Sequence, residues 1–223
     1  ALELFKNKKS NIISFDFVKN ESKFYSSKKN TLIKKKLRKI KYNNPFLYGE
    51  HNEENVQIAL KALSFLALKK KLLEKSLNSF SGLAHRQELV INNKNLKVIN
   101  DSKATNIDSM IKAIKNYENI YLICGGILKD RNLNSLTPYT NKLKKVYITG
   151  VKKNQFINFF SKKNEIFISS NLSKIVKECF KDVNTTEQST ILFCPGAASF
   201  DQFKNFEERG NRFKKIVLDN SKK

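Results

Sequence analysis

From residue 96 onward, short apolar runs alternate with segments of helical periodicity, and this alternation limits the fold more than any other feature. "LKVIN" (96–100), "NIYLICGG" (119–126), "KKVYITG" (144–150), "EIFIS" (165–169) and "STILFCPG" (189–196) each read as a strand. The first precedes a helix with Ile107, Met110, Ile111 and Ile114 on one face. Helical patterns also follow near 152–160 and in "NLSKIVKECF", and the last run leads to a helix where Phe206, Gly210, Phe213 and Val217 align. Strands that are apolar along their whole length are covered on both faces. Strand-then-helix order therefore predicts an α/β fold with a mostly parallel sheet between two helical layers.

Upstream the pattern changes. "NIISFDF" (11–17) reads as a strand, and "TLIKKKLRKIKY" (31–42) as an exposed hairpin or edge kept soluble by lysine. In "GEHNEENVQIALKALSFLALKK", Val56, Leu60, Leu63 and Ala67 fall on one helical face. Asn52 is the expected cap of that helix, with Glu53 and Glu54 at its positive end and Lys69 to Lys71 at its negative end. A second short helix is expected over 70–79. The small residues of "SFSGLAH" (79–85) read as a hinge, dividing the chain into 1–81 and 82–223.

Composition removes several functions. No run of 18 apolar residues exists, so no membrane span is expected. Cys124, Cys179 and Cys194 lack metal-ligand spacing and read as reduced core thiols of a cytoplasmic protein. The net charge of +23 invites a nucleic-acid partner. Yet of 43 basic residues only Arg38, Arg86, Arg131, Arg209 and Arg212 are arginine, the residue whose planar fork matches base edges. Lysine spread along the whole chain fits a codon bias, so no specific nucleic-acid binding is expected. The chain opens "ALELFKNKKS" with Met110 as its sole methionine and is expected to be processed or a fragment.

Ligands of open α/β sheets gather at the carboxyl ends of the strands. That rule selects "NDSKATN" (100–106), "CGGILKD" (124–130) and "CPGAAS" (194–199), which together offer Asp101, Ser102, Lys103, Thr105, Lys129 and Ser199. Lysines and hydroxyls near helix starts suit carboxylates or phosphates. Each residue also has a plain structural role open to it. Thr105 or Asn106 can cap a helix, Ser199 and Gln202 fit a capping box, and Lys129 can be a solvated surface lysine. His51 and His85, the two histidines, both lie near the proposed domain boundary.

"GEHNEEN", "GLAHRQE", "NDSKATN", "GGILKD" and "CPGAASFDQFKNFEERGNRF" together resemble the MurD-type Mur ligases, in order and spacing, over about residues 49 to 217. The resemblance implies a Rossmann-like C-terminal domain, 82–223, preceded by the tail of a central ATP-binding domain, 1–81. It implies ATP-dependent amide formation: a carboxylate of UDP-N-acetylmuramoyl-L-alanine becomes an acyl phosphate and is attacked by the amine of D-glutamate. By the same resemblance, Asn52 and Asn55 lie by adenine, Arg86 reaches the ATP phosphates with His85 alongside, and Asp101 holds the ribose. Lys103 extends toward the reacting groups. Thr105 and Lys129 bind one carboxylate of D-glutamate; Ser199, Phe200 and Phe206 lie at the other. ATP and Mg2+ are the implied cofactors, and a cytoplasmic monomer is expected.

One departure stands out. No G-x-x-x-x-G-K-[ST] phosphate loop is present, so that loop, the magnesium ligands and the uridine-binding domain are expected upstream of Ala1. The chain alone is accordingly expected to be inactive. Two rival functions remain: a lysine-rich binding module for polyanions, and a polyglutamylating ligase of the same fold.

Overall fold

The computed structural model describes residues 12–16, 21–26, 31–36, 40–47, 49–63, 68–129, 132–184 and 186–221, with backbone only for 12–36 and for Glu50 and His51. Two compact units divide between Ser81 and Gly82. In the first, strands β1 (Ile12–Asp16), β2 (Glu21–Ser26) and β3 (Thr31–Lys36) form an antiparallel sheet in that order. Among the described residues, β3 is the outer strand of this order; it takes up the first half of the segment 31–42 read as a hairpin or edge, of which 37–39 lie outside the described residues. Helix α1 (Glu50–Leu63) buries Val56 and Leu60, and α2 (Lys70–Ser79) follows.

Asn52 is not the cap of α1. The helix begins two residues earlier, and the Gly49 carbonyl accepts the backbone N–H groups of Asn52 and Glu53. The chain enters through Gly49 at φ 94°, a conformation glycine adopts without penalty. Ala67 and the side chain of His51 lie outside the described residues. Helix α2 is closed at its far end by Asn44, whose amide donates to the carbonyls of Leu77 and Phe80.

The second unit is a six-stranded sheet with the order β4-β5-β9-β6-β7-β8. Its strands are β4 (Glu88–Asn92), β5 (Leu96–Asn100), β6 (Ile120–Gly125), β7 (Leu143–Thr149), β8 (Ile166–Ile168) and β9 (Ser189–Phe193). All neighbours pair in parallel except β4, an antiparallel edge on β5. β4 escapes the sequence pattern because "ELVIN" sits directly against a hinge-like segment and pairs back on the next strand without an intervening helix.

Side chains of successive strand residues enter opposite layers. Ile120, Leu122 and Cys124 pack with Ile107, Met110 and Ile114 of α3 (Ile107–Lys115), and with Phe156 and Phe160 of α4 (Asn154–Phe160). Tyr121 and Ile123 pack with Ile175 and Val176 of α5 (Leu172–Asp182), and with Phe213 and Val217 of α6 (Phe206–Asn220). The ring of Phe193 stacks on that of Phe213 at 4.2 Å between centroids. Both layers predicted from the sequence are therefore filled. Burying large apolar side chains such as these contributes about 1.5–3 kcal/mol each before the entropy of ordering them is subtracted.

Candidate functional site

Because β9 lies between β5 and β6, the loops that leave their carboxyl ends are neighbours. Backbone bonds stitch them together. Gly196 donates to Ala104 at 2.9 Å, and Gly125 to Pro195 at 3.0 Å. Ile127 and Ala198 exchange bonds in both directions at 2.9 Å. The segments 100–106, 124–129 and 194–199 thus form one edge, with Lys103, Thr105, Lys129 and Ser199 on it.

Such close contact requires glycine. At Gly126, φ 123°, an added Cβ lies 2.3 Å from the Ala198 carbonyl oxygen; at Gly125, φ 132°, it lies 2.0 Å from that of Thr149. Two further loops join the same edge. Asp201 accepts the backbone N–H of Val151, Gln202 donates to the Ser170 carbonyl, and Lys153 bridges the Gly150 carbonyl and the Ser170 hydroxyl.

Ser199 is almost wholly buried, while its neighbour Phe200 is 72% exposed. The expected capping box at Ser199 and Gln202 is absent. Ser199 opens a turn through its carbonyl, which accepts from Gln202 and Phe203, and α6 starts only at Phe206. The cap is Asn205, whose Oδ1 accepts the Glu208 N–H, while Glu208 reaches back to the N–H of Lys204. Five residues therefore separate Ser199, the expected cap, from Asn205, which caps the helix. At the other loop Asn106, not Thr105, caps α3 by accepting from Ser109.

Asp101 sits at the end of β5 with its carboxylate nearly enclosed. It accepts the N–H of Gln87 at 3.2 Å and the Cys194 thiol at 3.7 Å. Burial disfavours its charge and pushes its pKa up to about 6, against the opposing pull of those donors and of Arg86. Burial likewise holds the Cys194 thiol well above its ordinary value, with the Asp101 carboxylate adding to the effect.

His85 is buried and left-handed at φ 63°. Its N–H donates to Glu88, its carbonyl accepts from Lys103, and its Nδ1 lies 3.0 Å from the Asn100 amide nitrogen. Glu88 also accepts from Asn100 and pairs with Lys214 at 2.5 Å. Burial lowers the His85 pKa although Glu88 pulls the other way, so the ring is neutral near pH 7. The Asn100 amide nitrogen is a donor, and the tautomer with its proton on Nε2 accepts from it at Nδ1. Arg86, by contrast, is exposed.

Phe206 meets His85 edge to face at 6.3 Å, and the Lys103 ammonium stands 3.9 Å from the centre of its ring. Lys129 is exposed. Asn52 and Asn55 lie on α1 in the other unit. Among the described residues, no group of three or more His, Cys, Asp or Glu side chains is placed to hold a metal ion.

Two residues of this edge were not read from the sequence. Arg209 is buried and donates to the Ser102 hydroxyl, the Ser102 carbonyl and the Ala197 carbonyl. Gly210 gives His85 its place, since a Cβ there lies 2.3 Å from Nδ1. Arg209 looked like one of many basic residues, and its only distinguishing sign was a position one residue from the apolar face of α6.

No protein-family model matches the chain. Curated relatives do. It is 39% identical to a UDP-N-acetylmuramoylalanine--D-glutamate ligase of Rickettsia prowazekii over 78% of this chain and 39% of that protein. A ligase of the same name from Prochlorococcus marinus is 35% identical over 96% of this chain and 45% of its own length. The chain spans about two-fifths of the length of the curated relatives it matches. Among solved structures, the UDP-N-acetylmuramate-alanine ligase MurC of Thermotoga maritima superposes with a TM-score of 0.56 at 18% identity, covering 92% of this chain and 44% of its own. MurF ligase of the same organism, solved with ADP, gives 0.57 at 14%, over 94% and 47%. The Mycobacterium tuberculosis folylpolyglutamate synthase gives 0.56 at 13%, over 93% and 47%. Ligases of different names share this fold, so the architecture does not select a substrate.

Proposed function

We propose, from the premise that this chain is a relative of the MurD-type Mur ligases, that it forms the D-glutamate-receiving part of an ATP-dependent amide ligase acting on UDP-N-acetylmuramoyl-L-alanine in peptidoglycan synthesis. The observation that carries the reading is the stitched edge of loops 100–106, 124–129 and 194–199, which brings lysines and hydroxyls to the carboxyl ends of adjacent strands. The identity to curated D-glutamate ligases supports it independently.

A carboxylate is a poor electrophile, and ATP supplies the phosphoryl group that converts its oxygen into a leaving group. The residues of this chain then bind and orient. Thr105 and Lys129 receive one carboxylate of D-glutamate; Ser199 and the start of α6 at Phe206 receive the other, with Phe200 beside them. Lys103 extends toward the reacting groups, where a cation stabilises the charge that builds during transfer. His85, buried and neutral, fixes the backbone of Lys103.

For the nucleotide, this reading assigns Asn52 and Asn55 of the first unit to adenine, and, of the second unit, Arg86 to the phosphates and Asp101 to the ribose. Residues 1–81 are the end of the central ATP-binding domain and 82–223 the amino-acid-binding domain. Magnesium, in this reading, is held by residues other than those named here. The same reading makes the enzyme a cytoplasmic monomer; no described helix is long and apolar enough to cross a membrane.

Nitrogen–proton correlation NMR of the chain tests the reading. D-glutamate is expected to shift amides in 100–106 and 194–206 of the wild type, and Ser199→Ala to lose those shifts. A chain that ignores D-glutamate but binds DNA, releasing it at moderate salt, would instead be the polyanion module that the +23 charge suggests.

A further inference from the structure

Lys103 is gripped at both ends. Its backbone N–H donates to the His85 carbonyl at 3.0 Å, and its ammonium rests 3.9 Å from the Phe206 ring centre. The third side of this triangle is the edge-to-face contact of His85 with Phe206 at 6.3 Å. Phe206 is itself fixed, because its carbonyl accepts the Ser102 hydroxyl at 2.8 Å and its helix is capped at Asn205. Among the described residues Lys103 forms no ion pair, although the chain holds other lysines in pairs with Glu and Asp.

An ammonium over an aromatic face is attracted by the ring quadrupole but keeps its full charge. A carboxylate in the same place would hold the lysine equally well and cancel it. We infer that Phe206 is the positioning residue of Lys103, its ring face holding the ammonium at the start of α6, charged and unneutralised, to receive an anionic ligand. The inference rests on the reading that this edge takes a carboxylate. It assigns the ring of Phe206 to the lysine, leaving any contact with substrate to the Phe206 backbone.

Wild type, Phe206→Leu, Phe206→Tyr and Lys103→Met are compared as full chains, with amide dispersion in each spectrum confirming the fold. Leucine keeps an apolar side chain without a ring face, and tyrosine keeps the face. The Lys103 ε-methylene protons are expected upfield in wild type and Phe206→Tyr, through the ring current, and at their ordinary position in Phe206→Leu. D-glutamate affinity is expected to fall about three- to tenfold in Phe206→Leu. It should fall no further when Phe206→Leu is added to Lys103→Met, because the ring acts through the lysine. An unshifted Lys103 in wild type, or losses that multiply in the double variant, overturns the inference. If wild type does not bind D-glutamate at all, the ligase reading fails, and the ring-current comparison alone decides whether Phe206 positions Lys103.

Discussion

Arg209 places its Nε 3.1 Å from the Ser102 hydroxyl oxygen and its Nη2 2.9 Å from the Ser102 carbonyl, so one side chain of α6 holds both the side chain and the backbone of the loop after β5. Its Nη1 reaches the Ala197 carbonyl in the loop after β9. Burial lowers the guanidinium pKa to about 10, which still leaves it charged at neutral pH. Arg209→Met removes these donors and strands two buried carbonyls. A loss of about 3 kcal/mol is expected from urea unfolding, since leaving buried acceptors unmade costs ~1–3 kcal/mol each. Arg209→Lys, with a single ammonium for three oxygens, should lose less than Arg209→Met. A midpoint unchanged in Arg209→Met would show that the loops do not depend on this clamp.

Gly210 presents a conflict between local and tertiary demands. In a helix interior, alanine is favoured over glycine by roughly 1 kcal/mol. Here the added methyl would meet the His85 ring, which cannot swing away without losing Asn100. Gly210→Ala is expected to destabilise the chain by about 1–3 kcal/mol. The same change in a His85→Ala background should be neutral or stabilising, because the obstacle is gone. A cycle that proves additive would rule out the steric account.

Much of this fold was legible because its signals are local. β5, β6, β7 and β9 announce themselves as apolar runs, and Ile107, Met110 and Ile114 by their helical spacing, each needing only a window of the chain. The convergence of the three loops followed from a topological rule rather than from any one residue. What the sequence hid were choices among equivalent local signals. "SFDQ" and "NFEE" both offer a capping residue followed three positions later by Gln or Glu, and only packing decides between them: Phe213 and Val217 set the phase of α6, and residues 199–204 are held by Asp201 and Gln202 to other loops. Arg209 was hidden for a similar reason, since what sets it apart is its burial with hydrogen bonds to two loops, which is not written in composition.

The choice of cap can be measured. Asn205→Ala removes the acceptor for the Glu208 N–H and is expected to cost about 1 kcal/mol in unfolding free energy, with faster amide exchange at Glu208. Ser199→Ala should leave exchange at Glu208 untouched. The reverse pattern would restore Ser199 as the cap.

Asp101 gives the chain a pH dependence of definite sign. In the unfolded chain its carboxyl ionises near 3.9, whereas in the fold burial raises the pKa to about 6. Between these values the native state holds a proton that the unfolded state has released. Its contribution to stability is therefore present below pH 4, declines as pH rises toward 6, and is gone above that. A tenfold change in proton affinity corresponds to ~1.4 kcal/mol, so the whole excursion is at most about 3 kcal/mol. Asp101→Asn keeps an acceptor for Gln87 but cannot ionise. Relative to wild type it should gain stability between pH 4 and pH 7 and then level off, as read by urea unfolding at fixed ionic strength. Taking this difference against wild type cancels the titration of Glu88 and His85, which both chains share. A difference that stays flat across the range would show that Asp101 ionises in the fold as it does in water, and that the Cys194 thiol and the Gln87 N–H fully offset its burial.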